Sequence, residues 1–393
     1  MTAIYTNPSG QPVTQTSYSQ RESFRFCPKQ YELRYSKGWM RKEQKASKWF
    51  GKALESAIQA FEENGRQPGT GAGLFEQQWN RIKLLKEFSR LTYTKTEGSW
   101  ESLLRAGCEM MMLYEIRLPS LPIAVRPRPQ FQVPLKKQIF PGTELDVLTN
   151  KAYVDILAFP DVLHPALPSI TADNVDSKRP LIIDIKTSGV DLEMDLVRLD
   201  PQLAEYAWQV RIPDVAFLWF VKRGHELKRD DQVALLQQVG GVPAGTTLYV
   251  LGFDEDESIS NRVFLGNIGD LKELELATKG LRGKQLSQVK QTFFADPDIL
   301  RCCTASVTKQ RLQFVAVRLT ETELDEVGRR VGFDTVQMVE AHRTGFYPKL
   351  GGIRFPNQKC NFCEMRGICL DRPELRDELL TRAGEEWLDG DED

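Results

Sequence analysis

The chain has 393 residues with a formal net charge of −2, 41% of them hydrophobic and 27% charged. That length allows a large core with room for more than one domain or a long insertion, and the near-neutral balance gives no global mark of a nucleic-acid binder. The longest apolar run, residues 215–221, is far too short to cross a membrane and reads as a buried strand. The first residues lack the charged and apolar regions of a secretory signal, so the expected compartment is the reducing cytoplasm. There, seven cysteines with clustered spacing favour a metal or redox centre over disulfides.

In chain order, residues 1–17 are polar and expected to be loosely held. Ser19 is a candidate cap for a first helix running through Phe26, just before Cys27 and Pro28. Seven cations follow (Arg34, Lys37, Arg41, Lys42, Lys45, Lys48, Lys52) against one anion, Glu43, with Tyr35, Trp39, Trp49 and Phe50 interleaved. Cations neutralise phosphates and aromatic faces stack on bases, so residues 34–52 are suited to track a nucleic-acid strand; a solvated helix face with core aromatics explains them equally well. Phe50, Leu54, Ile58 and Phe61 recur at helical spacing and predict a helix over about 47–64, closed by a glycine-rich loop. Further helices are expected over 74–87 and 99–118.

The character then changes to strands, expected over 130–135, 151–158 and 181–186. Asp200 and Pro201 open a helix, since the carboxylate caps orphan amides and proline fits the first helical position. That helix carries Gln202, Leu203, Tyr206 and Ala207 and ends by Ile212 and Pro213, before the strand at 215–221. Residues 228–306 are weakly patterned and read as an insertion of uncertain fold. A strand at 312–318 resumes the sheet, Thr320 and Glu321 open a helix to about Arg343, and an acidic tail follows Gly384. The organisation expected is an N-terminal helical region (1–125), a core (126–227), the insertion (228–306) and a sheet return with C-terminal segment (307–393).

On a strand, residues i and i+2 share a face, so Asp184 and Lys186 project together while Ile183 and Ile185 face the other way. An apolar buried strand that presents a carboxylate and an ammonium is unusual, because unpaired charges there are costly. Asp155, flanked by Val154 and Ile156, lies on an earlier strand of the same character. If the two strands are neighbours, the aspartates converge on one hard cation, and oxygen ligation with open water positions suits Mg²⁺ or Mn²⁺. Lys186 would then orient or activate a metal-bound water and neutralise charge developing on phosphorus. Standing alone, an Asp–Lys pair at a strand end serves a structural role just as readily.

Asp155 and Asp184-x-Lys186, followed by Gln202-x3-Tyr206, resemble the PD-(D/E)XK nuclease superfamily, and within it the RecB-like branch, whose helix after the catalytic strand carries Gln-x3-Tyr. The i, i+4 spacing puts Gln202 and Tyr206 on one helical face, available to a phosphate or to Lys186. Gly51-x3-Glu55 falls where this branch has Gly-x3-His with the histidine as metal ligand; Glu55 departs from it, but a carboxylate suits Mg²⁺ or Mn²⁺ at least as well. Ala152 and Val154 replace a glycine and the proline of the superfamily's name. The resemblance implies an α/β fold with a restriction-endonuclease-like core, a central mixed sheet flanked by helices. It implies metal ligands at Glu55, Asp155, Asp184 and the backbone carbonyl of Ile185.

Cys360-x2-Cys363-x5-Cys369, with Cys27 far upstream, resembles the iron–sulfur nucleases, among them AddB-type helicase–nuclease subunits and CRISPR-associated RecB-like exonucleases. In these a [4Fe–4S] cluster staples segments on either side of the nuclease core. Four thiolates also suit Zn²⁺, and spacing does not exclude it. Cys108, Cys302 and Cys303 read as small core residues. No Gly-x4-Gly-Lys-Ser/Thr motor motif is present, and the three histidines (His164, His225, His342) lie outside the matched motifs.

The resemblance covers roughly residues 19–62, 128–222 and 312–370. It implies a metal-dependent DNA exonuclease acting on single-stranded or free-ended DNA, in recombination, repair or phage DNA processing. The competing reading is a non-catalytic DNA-binding or assembly subunit working with a helicase or recombinase, against which the complete Asp–Asp–Lys–Gln–Tyr set argues. A zinc-stapled structural protein is a third.

Overall fold

Six strands form the central sheet of the computed structural model, in the order 311–318, 214–221, 181–188, 149–158 and 15–16, with 130–138 also paired to 149–158. The structure describes residues 3–95, 97–124, 126–171, 177–222, 249–251, 262–264, 303–306, 311–350, 352, 359–361 and 363–382. The strands are β3 (Gln15–Thr16), β7 (Gln130–Gln138), β8 (Thr149–Ala158), β9 (Leu181–Ser188), β10 (Asp214–Val221) and β14 (Arg311–Arg318). β9 and β10 run parallel, from Ile182↔Val215 to Ser188↔Val221. A parallel pair needs a crossover, and helix α6 (Pro201–Val210) supplies it, capped by the Asp200 carboxylate accepting from Leu203 N–H at 2.8 Å. β14 closes the edge antiparallel to β10, and β7 and β8 form a hairpin.

Each face of the sheet is covered by helices. On one face lie α3 (Ala46–Glu63), α4 (Gly71–Arg81) and α5 (Trp100–Arg117). Their Phe50, Leu54, Phe75, Trp79 and Tyr114 form one core with Ile156, Ile183, Ile185 and Leu218. On the other face, Leu203, Tyr206 and Trp208 of α6 join Leu324 and Val331 of α7 (Glu321–Thr344) over Val154, Ile182, Val215 and Phe217. The alternation Ile182/Ile183 between the two cores is the period-two signature of a strand buried on both sides. Thr320 caps α7 in a reciprocal box with Glu323.

Several expectations shift. The first residues are held, not loose: β1 (Tyr5–Thr6) pairs with β2 (Pro12–Val13), and Ile4 and Tyr5 are buried beside Tyr31, Tyr35 and Met338. Apolar burial there outweighs the polar composition around it. Helix α1 (Tyr18–Phe26) is capped by Ser17, not Ser19, because Gln20 closes the box: Ser17 Oγ accepts from Gln20 N–H while Gln20 Oε1 accepts from Ser17 N–H. The helix expected over 74–87 ends at Arg81, giving way to 3₁₀ turns at Ile82–Leu84 and Lys86–Arg90. Within 228–306 only β11 (Tyr249–Leu251), β12 (Arg262–Phe264) and β13 (Cys303–Ser306) are described, paired as a three-stranded antiparallel sheet; the rest, including Cys302, and the tail from Gly384 lie outside the described residues. Among the described residues no helix is long and apolar enough to cross a membrane.

Candidate active site

β8 and β9 pair antiparallel over only three rungs, Ile156↔Ile183, Leu157↔Ile182 and Ala158↔Leu181. The next rung would set Asp155 against Asp184, and there the strands part. Like charges facing each other across a ladder destabilise it, so opposed carboxylates at a fork in an apolar sheet need a reason other than stability. Asp155 Oδ2 accepts the backbone N–H of Ile185 at 2.7 Å, bridging the fork with a side chain where the ladder fails.

From Asp184 a polar chain runs onto α6. Lys186 Nζ lies 2.8 Å from Asp184 Oδ2, an ion pair that compensates the buried carboxylate. Lys186 Nζ donates to Gln202 Oε1 at 3.1 Å, and the Gln202 amide donates to the Tyr206 hydroxyl at 2.5 Å. The i, i+4 spacing on α6 therefore serves the lysine, with Gln202 as its rest and Tyr206 as the rest of Gln202.

Electrostatics follow from this crowding. Burial, then the charges of Asp184 and Glu55, push the Asp155 carboxyl well above its usual range. Burial raises Asp184 too, opposed by Lys186. Burial works against the Lys186 ammonium, but Asp184 and Asp155 outweigh it and hold the lysine above its ordinary range. Burial and the same aspartates keep Tyr206 a phenol.

One cavity of about 220 Å³ collects Asp155, Asp184, Lys186, Gln202 and Tyr206 together with Glu55 from α3. Lys52 and Lys48, one and two turns before Glu55, lie in the same wall. Lys151, on β8 with Asp155, and Gln132, on β7, also line it and were not anticipated. The period of two that links 151, 153 and 155 was the available signal for Lys151. The stacking role expected of residues 34–52 is corrected in part: Phe50 is fully buried against Phe75 and Trp79, and Tyr35 packs on Tyr31, because these rings complete hydrophobic cores. Of the segment's lysines, Lys48 and Lys52 reach the cavity; those two rings do not.

The donor chemistry fits a hard divalent ion: two carboxylates raised above their usual range by burial, with Asp184 and Glu55 adding to the shift of Asp155. Among the described residues, however, no three His, Cys, Asp or Glu side chains stand close enough to hold a metal ion, so neither Glu55 with the aspartates nor the cysteines form a closed set.

The four cysteines share one neighbourhood. Cys27 is buried between α1 and α2 (Pro28–Tyr31), and Cys360, Cys363 and Cys369 are half-buried. Lys359 Nζ donates to Phe26 O at 2.8 Å, and Lys29 N–H donates to Pro348 O at 3.3 Å, tying the two ends of the chain. β15 (Leu380–Arg382) pairs with β4 (Trp39–Arg41) to the same effect. Burial pushes the Cys363 thiol up to about 11, with Cys369 and Cys27 adding to it. Cys108 is half-buried on α5 and belongs to the helical core.

The profile of the PD-(D/E)XK nuclease superfamily matches residues 15–370. No curated protein sequence matches the chain. A solved structure titled "Crystal structure of SSO0001" is similar over 42% of this chain and 72% of that chain, at 14% identity and a TM-score of 0.19, an overlap that carries no argument. The family match spans the fork, the lysine and the Gln-x3-Tyr helix alike, and the chain belongs to the PD-(D/E)XK nuclease superfamily.

Proposed function

We propose that the protein is a metal-dependent DNA nuclease of the RecB-like type, hydrolysing phosphodiester bonds as an exonuclease. The observation that carries this reading is the meeting of Asp155 and Asp184 at a strand fork, in one cavity with the Lys186–Gln202–Tyr206 chain. Asp155, Asp184 and the backbone carbonyl of Ile185, with Glu55 across the cavity, would hold Mg²⁺ or Mn²⁺, which supplies Lewis-acid polarisation of a phosphate oxygen and an activated water.

The chain's own residues do the rest. Lys186 holds a positive charge where negative charge grows on the phosphate, and Gln202 keeps the lysine aimed. Tyr206, buried, fixes Gln202 from behind. Lys48, Lys52 and Lys151 draw the polyanion to a centre whose carboxylates would otherwise repel it. The substrate proposed is DNA that is single-stranded or has a free end, a backbone phosphate of which enters the cavity.

Cys27, Cys360, Cys363 and Cys369 would hold a [4Fe–4S] cluster as a staple between the chain ends, with Zn²⁺ as the other occupant suited to thiolates. Their common neighbourhood supports this.

The deciding experiment compares cleavage of end-labelled single- and double-stranded DNA by anaerobically purified protein in Mg²⁺, Mn²⁺ or EDTA, with Lys186→Ala alongside. Metal-dependent degradation that Lys186→Ala lacks while still binding DNA is the expected result. Binding without cleavage by the wild type would overturn the nuclease reading in favour of a DNA-binding subunit.

A further inference from the structure

Gln132 lies on β7 at φ +46°, a left-handed conformation that L side chains rarely adopt inside a strand. The hairpin keeps register on both sides of it, Phe131↔Ile156 and Val133↔Val154, so no residue has been inserted; the rung between would set Gln132 against Asp155. In a regular strand Phe131 and Val133 share a face, as do Ile156 and Val154. Here Phe131 and Ile156 pack in the core under α3–α5, while Val133 and Val154 pack in the core under α6 and α7. The hairpin rolls over at the Gln132–Asp155 rung, and both side chains of that rung line the catalytic cavity.

Glycine would adopt this backbone without strain, whereas a glutamine there is strained. Strain retained beside a reactive centre calls for a side-chain role. The inner polar groups of the cavity are engaged with one another: Asp155 with Ile185 N–H, Lys186 with Asp184 and Gln202, Gln202 with Tyr206. The Gln132 carboxamide has no hydrogen-bond partner among the described residues. It is also neutral. A cation at this position would pair with Asp155, whereas an amide can donate to a phosphate oxygen and leave the carboxylates as they are.

We propose that Gln132 is a substrate-binding residue of this site, its side-chain N–H donating to a phosphate oxygen of the DNA strand being cut. The proposal rests on the nuclease reading above and deepens it by one contact.

The test uses the full chain with Gln132→Gly and Gln132→Asn. Glycine removes the amide and relieves the backbone; asparagine tolerates the left-handed region and keeps an amide one methylene shorter. Three quantities are read: melting temperature, affinity for a fluorescent single-stranded oligonucleotide in EDTA, and kcat and KM for its cleavage in Mn²⁺. Gln132→Gly is expected to melt at or above the wild-type temperature and yet lose about 10-fold or more in kcat/KM, with weaker oligonucleotide binding, as loss of a hydrogen bond to a charged group requires. Gln132→Asn should fall between the two in activity. A structural role alone would make activity follow stability, the reverse order. Cleavage and binding by Gln132→Gly within twofold of wild type would overturn the proposal. If wild type binds but does not cut, the nuclease reading fails on its own, and the oligonucleotide affinities alone then decide for or against the Gln132 contact.

Discussion

Arg21 of α1 and Glu205 of α6 form an ion pair with side chains 0% and 1% exposed, and Glu205 stands between Gln202 and Tyr206. Arg21 also donates to Asn150 Oδ1 at 2.7 Å, so one guanidinium joins the helix before Cys27, the strand of Asp155 and the helix that steadies Lys186. Its Nε and Glu205 Oε1 have no hydrogen-bond partners among the described residues, which makes the pair costly to bury and costlier to break. Arg21→Ala is expected to lose roughly 3–5 kcal/mol, because an uncompensated carboxylate is left in the core. Glu205→Leu added to it should restore part of the loss. Urea denaturation of the singles and the double checks this, and a loss under about 1 kcal/mol for Arg21→Ala would refute it.

The carboxylate pair at the fork is expected to weaken the metal-free fold. Asp155 has its pKa raised in the folded state by burial, Asp184 and Glu55, so its contribution is most favourable below the unfolded value and is lost as pH rises through the folded one. Asp155→Asn keeps an oxygen for Ile185 N–H and removes the charge. At pH 7 in EDTA it should therefore be more stable than wild type by about 1 kcal/mol, while cleavage is abolished. The advantage should shrink as pH falls through the raised pKa toward 4, which thermal melts across pH would show. A variant less stable than wild type at pH 7 would count against the repulsion.

Gly328, in the first third of α7, is a contact point for α6. A Cβ there would lie 2.3 Å from Trp208 Nε1 and 3.0 Å from its Cε2. Helix propensity alone would favour alanine by about 1 kcal/mol, but overpacking a buried ring costs about 1–3 kcal/mol. Gly328→Ala is expected to melt lower than wild type and to cut more slowly, because Trp208 belongs to the helix of Gln202 and Tyr206. A higher melting temperature would show that the ring yields.

Cys363→Ala should lower the melting temperature and the bound metal together, since Cys27 and Cys360 lie near opposite ends of the chain and meet in the fold. Elemental analysis of anaerobic protein separates iron from zinc. Metal lost with stability unchanged would end the staple idea.

Much of the architecture was readable from local chemistry. Asp200 and Pro201 start α6, Ser99 caps α5, and Thr320 starts α7, each through a side chain acting on amides a few residues away. Such signals need no tertiary partner. The misjudged first residues are of the opposite kind: Ile4 is buried only because Tyr31 and Met338, distant in sequence, come to cover it. For Phe50 and Tyr35 the sequence left two readings open and the core reading holds, since an aromatic among lysines reads alike whether it faces a base or a core.

At the site, the sequence by itself determined the candidate set, because Asp184-x-Lys186 and Gln202-x3-Tyr206 are spacings that a strand and a helix convert directly into shared faces. Only the tertiary structure decided that Asp155 meets Asp184 where two strands part, that Gln202 turns to Lys186, and that Gln132 and Lys151 face the same cavity. It also decided that Arg21 is buried against Glu205. Those relations depend on register, on a single left-handed residue and on pairings across more than a hundred positions, and local periodicity is blind to all three.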